Sequence, residues 1–134
     1  MNFRKLTSAF SAGAAGALAN SVTVWLFGAV GINAALGVSI APSISAAWLY
    51  PRIVWGGIWG FLLLLPLLKD RWLARGALFS LAPTLVQLLV VFPYKADKGM
   101  FGLDLGTMTP VLVLLFNLVW GILAAWIYNR STNR

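Results

Sequence analysis

The sequence predicts an all-α integral membrane protein with four transmembrane helices, and three observations carry that reading. Charge is clustered: between Leu6 and Lys69 the only Lys, Arg, Asp or Glu is Arg52, none lies between Gly76 and Tyr94, and none between Leu105 and Asn129. Those intervals suffice to cross a hydrocarbon layer about 30 Å thick, which takes roughly 20 helical residues at about 1.5 Å each. The 134 residues are 60% hydrophobic with a mean hydropathy of +0.87, so a water-soluble domain would lack the polar surface to cover itself. The basic residues, finally, gather at one end of the spans more than at the other, the pattern that orients membrane proteins. One membrane domain, residues 1–134, accommodates all three.

The first span is predicted over about residues 7–30. Arg4 and Lys5 precede a small-residue stretch that closes in Ala17-Leu18-Ala19, which resembles a secretory signal with its cleavage site. The apolar run nevertheless continues through Val22, Val24, Trp25, Leu26 and Phe27, and that length fits a spanning helix better. Residues 31–47 are uncharged and rich in Gly, Ala and Ser, with Asn33 and Pro42 among them. Such a segment either lies flat at the outer interface, the preferred reading, or re-enters the bilayer with its polar backbone received by protein or water. The second span is expected from Ser45 or Pro51 to Leu68, and the third from Gly76 to Phe92. Pro66 and Pro83 fall inside them and should kink both, because each removes a backbone donor. The fourth span is predicted from Pro110 to Tyr128, with Thr109 as its N-cap and Pro110 at the first helical position.

Orientation follows from the ten Lys and Arg. Arg4, Lys5, Lys69, Arg71, Arg75, Arg130 and Arg134 fall on one side, against Arg52, Lys95 and Lys98 on the other, so both termini are expected to be cytoplasmic. A fifth span over Asn33–Leu49 would put Lys69, Arg71 and Arg75 outside and is disfavoured on the same rule. Trp48, Tyr50 and Tyr94 then belong to the outer interface, and Trp72, Trp126 and Tyr128 to the inner one. A multi-pass protein of a plasma membrane, the inner membrane in a bacterium, is the expected location.

Small residues mark where helices can approach. Gly13 and Ala17 lie on one face of the first span, Ala12, Gly16 and Asn20 on a neighbouring one, and Gly56 and Gly60 form a G-x-x-x-G on the second. Lipid tails supply no hydrophobic force between helices, so van der Waals contact across small residues supplies much of the attraction. Packing within one chain is the first expectation; self-association or a membrane-protein partner is the second. Arg52, Trp55 and Trp59 are spaced i, i+3 and i+7, an aromatic stripe that invites a cation–π contact beside the glycine groove. Asn20, Gln87 and Asn117 lie at comparable depth, where amides either join helices by hydrogen bonds or line a polar cavity opening outward, together with Arg52 and Asp104. The loop Lys95–Thr109, with Gly99, Gly102 and Gly106, is either a hydrated turn or a lid whose Leu103 and Leu105 dip back towards the helices.

Enzymatic chemistry has little material here. The chain has no His, Cys or Glu, and its acids are Asp70, Asp97 and Asp104. General bases, thiol nucleophiles and metal ligands of the usual kinds are therefore missing, so no cofactor or metal is expected. The net charge of +7 does not imply nucleic-acid binding, because the cations flank apolar spans rather than a groove-reading face. The membrane-embedded Glu of the small multidrug exporters is absent, as are the Gly-Arg and Thr-Ser patterns of the fluoride channels. The function expected first is a non-enzymatic packing, accessory or scaffold subunit, alone or as a homo-oligomer; the alternative is a channel, uncoupled transporter or binding protein for a small neutral or anionic solute.

Overall fold

The computed structural model describes residues 3–68 and 70–132. Lys69 and Arg134, both counted in the charge asymmetry, lie outside the described residues. Among the described residues 81% are helical and no strand occurs, and four helices are long and apolar enough to span a membrane. The first, α1, runs Phe3–Ala29 and stops where Gly31 takes a left-handed conformation at φ 85°, which a side chain would disfavour. A single turn, α2 (Ile32–Ala35), follows. Helix α3 (Ala46–Trp59) begins where the Ser45 side chain accepts from the Trp48 N–H, and tightens into a 3₁₀ turn over Gly60–Leu64.

Pro66 is not inside this helix as the sequence predicted. Leu65 is extended at ψ 134°, because a proline crowds the helical conformation of the residue before it, and the helix ends there. Helix α4 (Trp72–Val86) starts earlier than expected, so Arg75 belongs to a helix rather than a loop. It contains Pro83 and continues as a wider π turn over Gln87–Lys95, which holds a second proline, Pro93. Wider turns of this kind let a helix continue past missing donors. Helix α5 spans Thr109–Thr132. Thr109 lies within it, buried, and its hydroxyl has no hydrogen-bond partner, so it does not act as the predicted cap.

The helices pack in the order α3, α1, α5, α4, with α1 and α5 central and no packed interface between α3 and α4. The start of α1 and the end of α5 lie at one end of the bundle, where the Arg4 guanidinium donates to the Ser131 carbonyl at 3.5 Å. Glycine sits in every interface. Gly13 meets Gly56 and Gly60 so closely that a Cβ there would stand 2.7 Å from Gly60 Cα. Gly16 fits against the Trp120 backbone and Ala124, and Gly76 faces Gly121. The α1–α3 seam advances four residues at a time in antiparallel sense, Gly13 with Gly60 and then Ala17 with Gly56. Side chains four apart share a helix face, so a seam of small residues at that spacing brings two backbones together along its whole length.

Arg75 ties the lower turns together. Its guanidinium donates to the Leu63 and Leu65 carbonyls, which the end of the α3 segment leaves without helical partners, and lies 5.4 Å from the Tyr128 ring. Tyr128 is accordingly buried. At the opposite end, residues 36–45 form a cap. Asn33 donates to the Ile40 carbonyl at 2.8 Å, the Ser39 N–H donates to Leu105 at 2.8 Å, and Val38 packs with Val24, Leu112 and Phe116. Leu105 turns back against Leu88, Phe92 and Val113, whereas Leu103 stays exposed.

Replacing Gly13 tests the seam. Gly13→Leu should destabilise the protein in detergent by about 1–3 kcal/mol or more, since neither facing backbone can move aside. Leu18→Ala, on the exposed face of α1, should shift unfolding by no more than about 0.5 kcal/mol.

Candidate functional site

One turn beyond the last glycine contacts, the seams end in polar groups. On α1 and α3 the next pair in the series of four is Ser21 with Arg52, and Arg52 Nε donates to Ser21 Oγ at 2.8 Å. Arg52 Nη2 also donates to Asn20 Oδ1 at 2.7 Å. The Asn20 amide in turn donates to the Phe116 carbonyl on α5 at 2.6 Å, so one asparagine links three helices. Between α4 and α5, Asn117 donates to Thr84 Oγ1 at 3.0 Å and reaches Gln87 Oε1 at 3.5 Å, a weak contact. The level lies roughly 9 to 14 Å below the loop end, counting about 1.5 Å per helical residue.

Four of the five residues named from the sequence therefore converge. Asn20, Arg52, Gln87 and Asn117 line two adjoining hollows. The first, about 380 Å³, lies under the cap segment Ser39–Pro42 and is walled by Trp48, Phe92 and Leu105. The second, about 540 Å³, is the gap between α3 and α4, where Trp55, Trp59, Pro83, Val86 and Val90 give an apolar lining and Lys95 stands at the loop end. Asp104 joins neither. It is exposed, its N–H donates to the Lys98 carbonyl at 3.0 Å, and its carboxylate folds over Gly99. No ion pair joins it to Arg52 among the described residues, because the loop turns it back on itself instead of down into the bundle.

The aromatic partner of Arg52 also differs from the expected stripe. Its guanidinium lies 4.7 Å from the centre of the Trp48 ring, not over Trp55 or Trp59. Helical side chains lean towards the N-terminus, so Arg52 covers the turn before it and meets residue i−4. Trp55 is 57% exposed, and Trp59 packs at the edge of the core. Ser21 and Trp48 were not named with the site; Ser21 could have been, since it continues the Gly13, Ala17 spacing by one more step of four.

What this arrangement offers chemically is hydrogen-bond donation from a cation. Arginine stays protonated, and two of its five N–H donors are used here, by neutral oxygens. The Nη1 pair has no partner among the described residues, and no carboxylate lines either hollow. Nor does any group of three possible metal ligands assemble among the described residues. No known protein family, curated protein or solved structure matches this chain.

Asn20→Leu should cost about 1–2 kcal/mol of unfolding free energy, since both its bonds join helices. Asn117→Leu should cost less, its second bond being the weak one. Equilibrium unfolding of both variants in the same detergent provides the comparison.

Proposed function

We propose that this chain is a non-enzymatic, multi-pass membrane protein that binds a small anionic solute, or the anionic group of a larger one, in the hollow around Arg52. One observation carries the reading: a guanidinium about one and a half turns inside a spanning helix faces the bundle interior with neutral partners only and unused donors. Charges in a membrane interior are costly and are ordinarily paired, so an interior cation without an acid favours an anionic visitor. The amides at Asn20, Gln87 and Asn117 add donors and acceptors around it, and the cap at residues 36–45 limits access from the loop end. In this reading the termini are cytoplasmic, the loop end faces outward and the membrane is a plasma membrane, as the Lys and Arg asymmetry supports. Transport without coupling is the dynamic form of the same binding.

A second reading, a scaffold or accessory subunit, draws on a different observation. The Asn20 and Asn117 amides are engaged with neighbouring helices, as they would be if they served only to fix the bundle. A partner chain or a second copy would then fill the gap between α3 and α4.

Because the chain has no native cysteine, single substitutions separate the two. Gln87→Cys and Asn117→Cys should react with a membrane-impermeant maleimide from the outside, with Ser80→Cys, fully buried, as the unreactive control. Millimolar inorganic phosphate should slow the reaction at Gln87→Cys, and Arg52→Gln should abolish that protection. Protection of both cysteines without any phosphate effect would favour the scaffold. For topology, reporter fusions at either terminus should be active only as cytoplasmic reporters; periplasmic or extracellular activity at either end would reverse the orientation.

A further inference from the structure

We infer that the gap between α3 and α4 is a lateral site for a phospholipid of net negative charge, its headgroup held at Arg52 and Lys95 and its acyl chain lying along Trp55, Trp59 and Val86. This rests on the reading of Arg52 as an anion-binding group and names the class of molecule that brings the anion. Three features of the gap lead to it. It is open sideways: α3 packs on α1 and α4 on α5, while α3 and α4 leave between them a hollow of about 540 Å³. That is within the roughly 300–1,000 Å³ common for ligand sites.

Its lining is divided along its length. Arg52, Lys95, Gln87 and Asn117 bring polar groups to the loop-end half, interrupted by Val90, and below them Trp55, Trp59, Pro83 and Val86 make the lining apolar. An amphipathic molecule standing upright in a bilayer has the same division. The charge is one-sided as well, with two cations and no carboxylate in the lining. A guanidinium binds phosphate oxygens through its planar fork, and the free Nη1 donors of Arg52 are available for it. A transmembrane helix from another protein is the competing occupant. It would have to supply an acid facing Arg52, whereas a phospholipid has its negative charge at one end and its chain beyond, the order in which Lys95 and Arg52 precede Trp55 and Trp59 down the gap.

The full chain, reconstituted in phosphatidylcholine vesicles, reports the occupant through tryptophan fluorescence. Lipids brominated on the acyl chain quench a tryptophan they touch. At equal mole fraction, brominated phosphatidylglycerol should quench with an apparent affinity about fivefold above brominated phosphatidylcholine, the preference expected from one cation near an anionic headgroup. Arg52→Gln should remove the preference while leaving the helix content unchanged. The double variant Trp55→Phe, Trp59→Phe, which keeps the gap's bulk, should remove most of the quenching that distinguishes the two lipids.

Equal quenching by both lipids in the folded wild-type protein overturns the proposal, as does a preference undiminished by loss of both tryptophans. Phosphate protection of Gln87→Cys combined with equal quenching leaves the Arg52 site standing and removes the lipid alone. Absence of both effects removes the two together. Equal quenching with disulfide-linked dimers of a Trp55→Cys variant overturns the lipid in favour of a second copy of the chain.

Discussion

Close approach of backbones across glycine is the constraint on which the rest of this molecule depends. Lipid offers no reward for burying one apolar side chain against another, so helices hold together through dense van der Waals contact and the hydrogen bonds that contact allows. Gly13, Gly56 and Gly60 in one interface, Gly16 in the second and Gly76 with Gly121 in the third bring backbones near enough that no Cβ fits between them. The antiparallel step of four residues then leaves no freedom in what comes next along each seam. Ser21 must face Arg52, and on the other side of the bundle Thr84 meets Asn117.

Two inward-facing arginines, Arg75 buried and Arg52 half-buried, show how differently the same side chain can be used. Arg75 is enclosed by the Leu63 and Leu65 carbonyls and by the Phe79 and Tyr128 rings. The Leu63 carbonyl belongs to the last helical turn, where unpaired oxygens carry partial negative charge, so the fold itself offsets part of the guanidinium's charge. Arg52 receives one hydroxyl oxygen, one amide oxygen and the Trp48 face. None of these carries a charge, and its remaining donors face a hollow. Structure is the work of the first arginine and recognition the work proposed for the second.

The open side of the bundle follows from connectivity and from the prolines. The segment between Leu64 and Trp72 joins α3 to α4 at the terminal end, where Arg75 fastens the junction, but nothing equivalent joins them higher up. Pro83 and the wide turn that follows it lie on the α4 side of the gap, and Trp55 and Trp59 on the other, so the gap is walled by bulky side chains rather than by glycine. Large side chains keep two backbones apart as surely as glycine lets them meet.

Four apolar spans and the glycine and small-residue positions were legible in the sequence, because hydropathy and spacing are local properties that lipid reads directly. So was the shared depth of Asn20, Gln87 and Asn117, which follows from counting residues. The end of α3 before Pro66 was legible in principle, through the restriction a proline places on its predecessor. Other features had no local signal. Arg75 looks like one more loop cation until α4 is seen to begin at Trp72, and Thr109 looks like a cap until its hydroxyl is found buried without a partner. Asp104 is separated from Arg52 only by the way the Lys98–Gly106 loop closes on itself. Sequence alone determined which segments are long and apolar enough to span a membrane and which faces can touch, since both depend on residue type and period. The tertiary structure decided that α3 and α4 stay apart and that Arg52 meets Ser21, Asn20 and Trp48 instead of an acid, because partnership across helices depends on packing order and register, which no single segment contains.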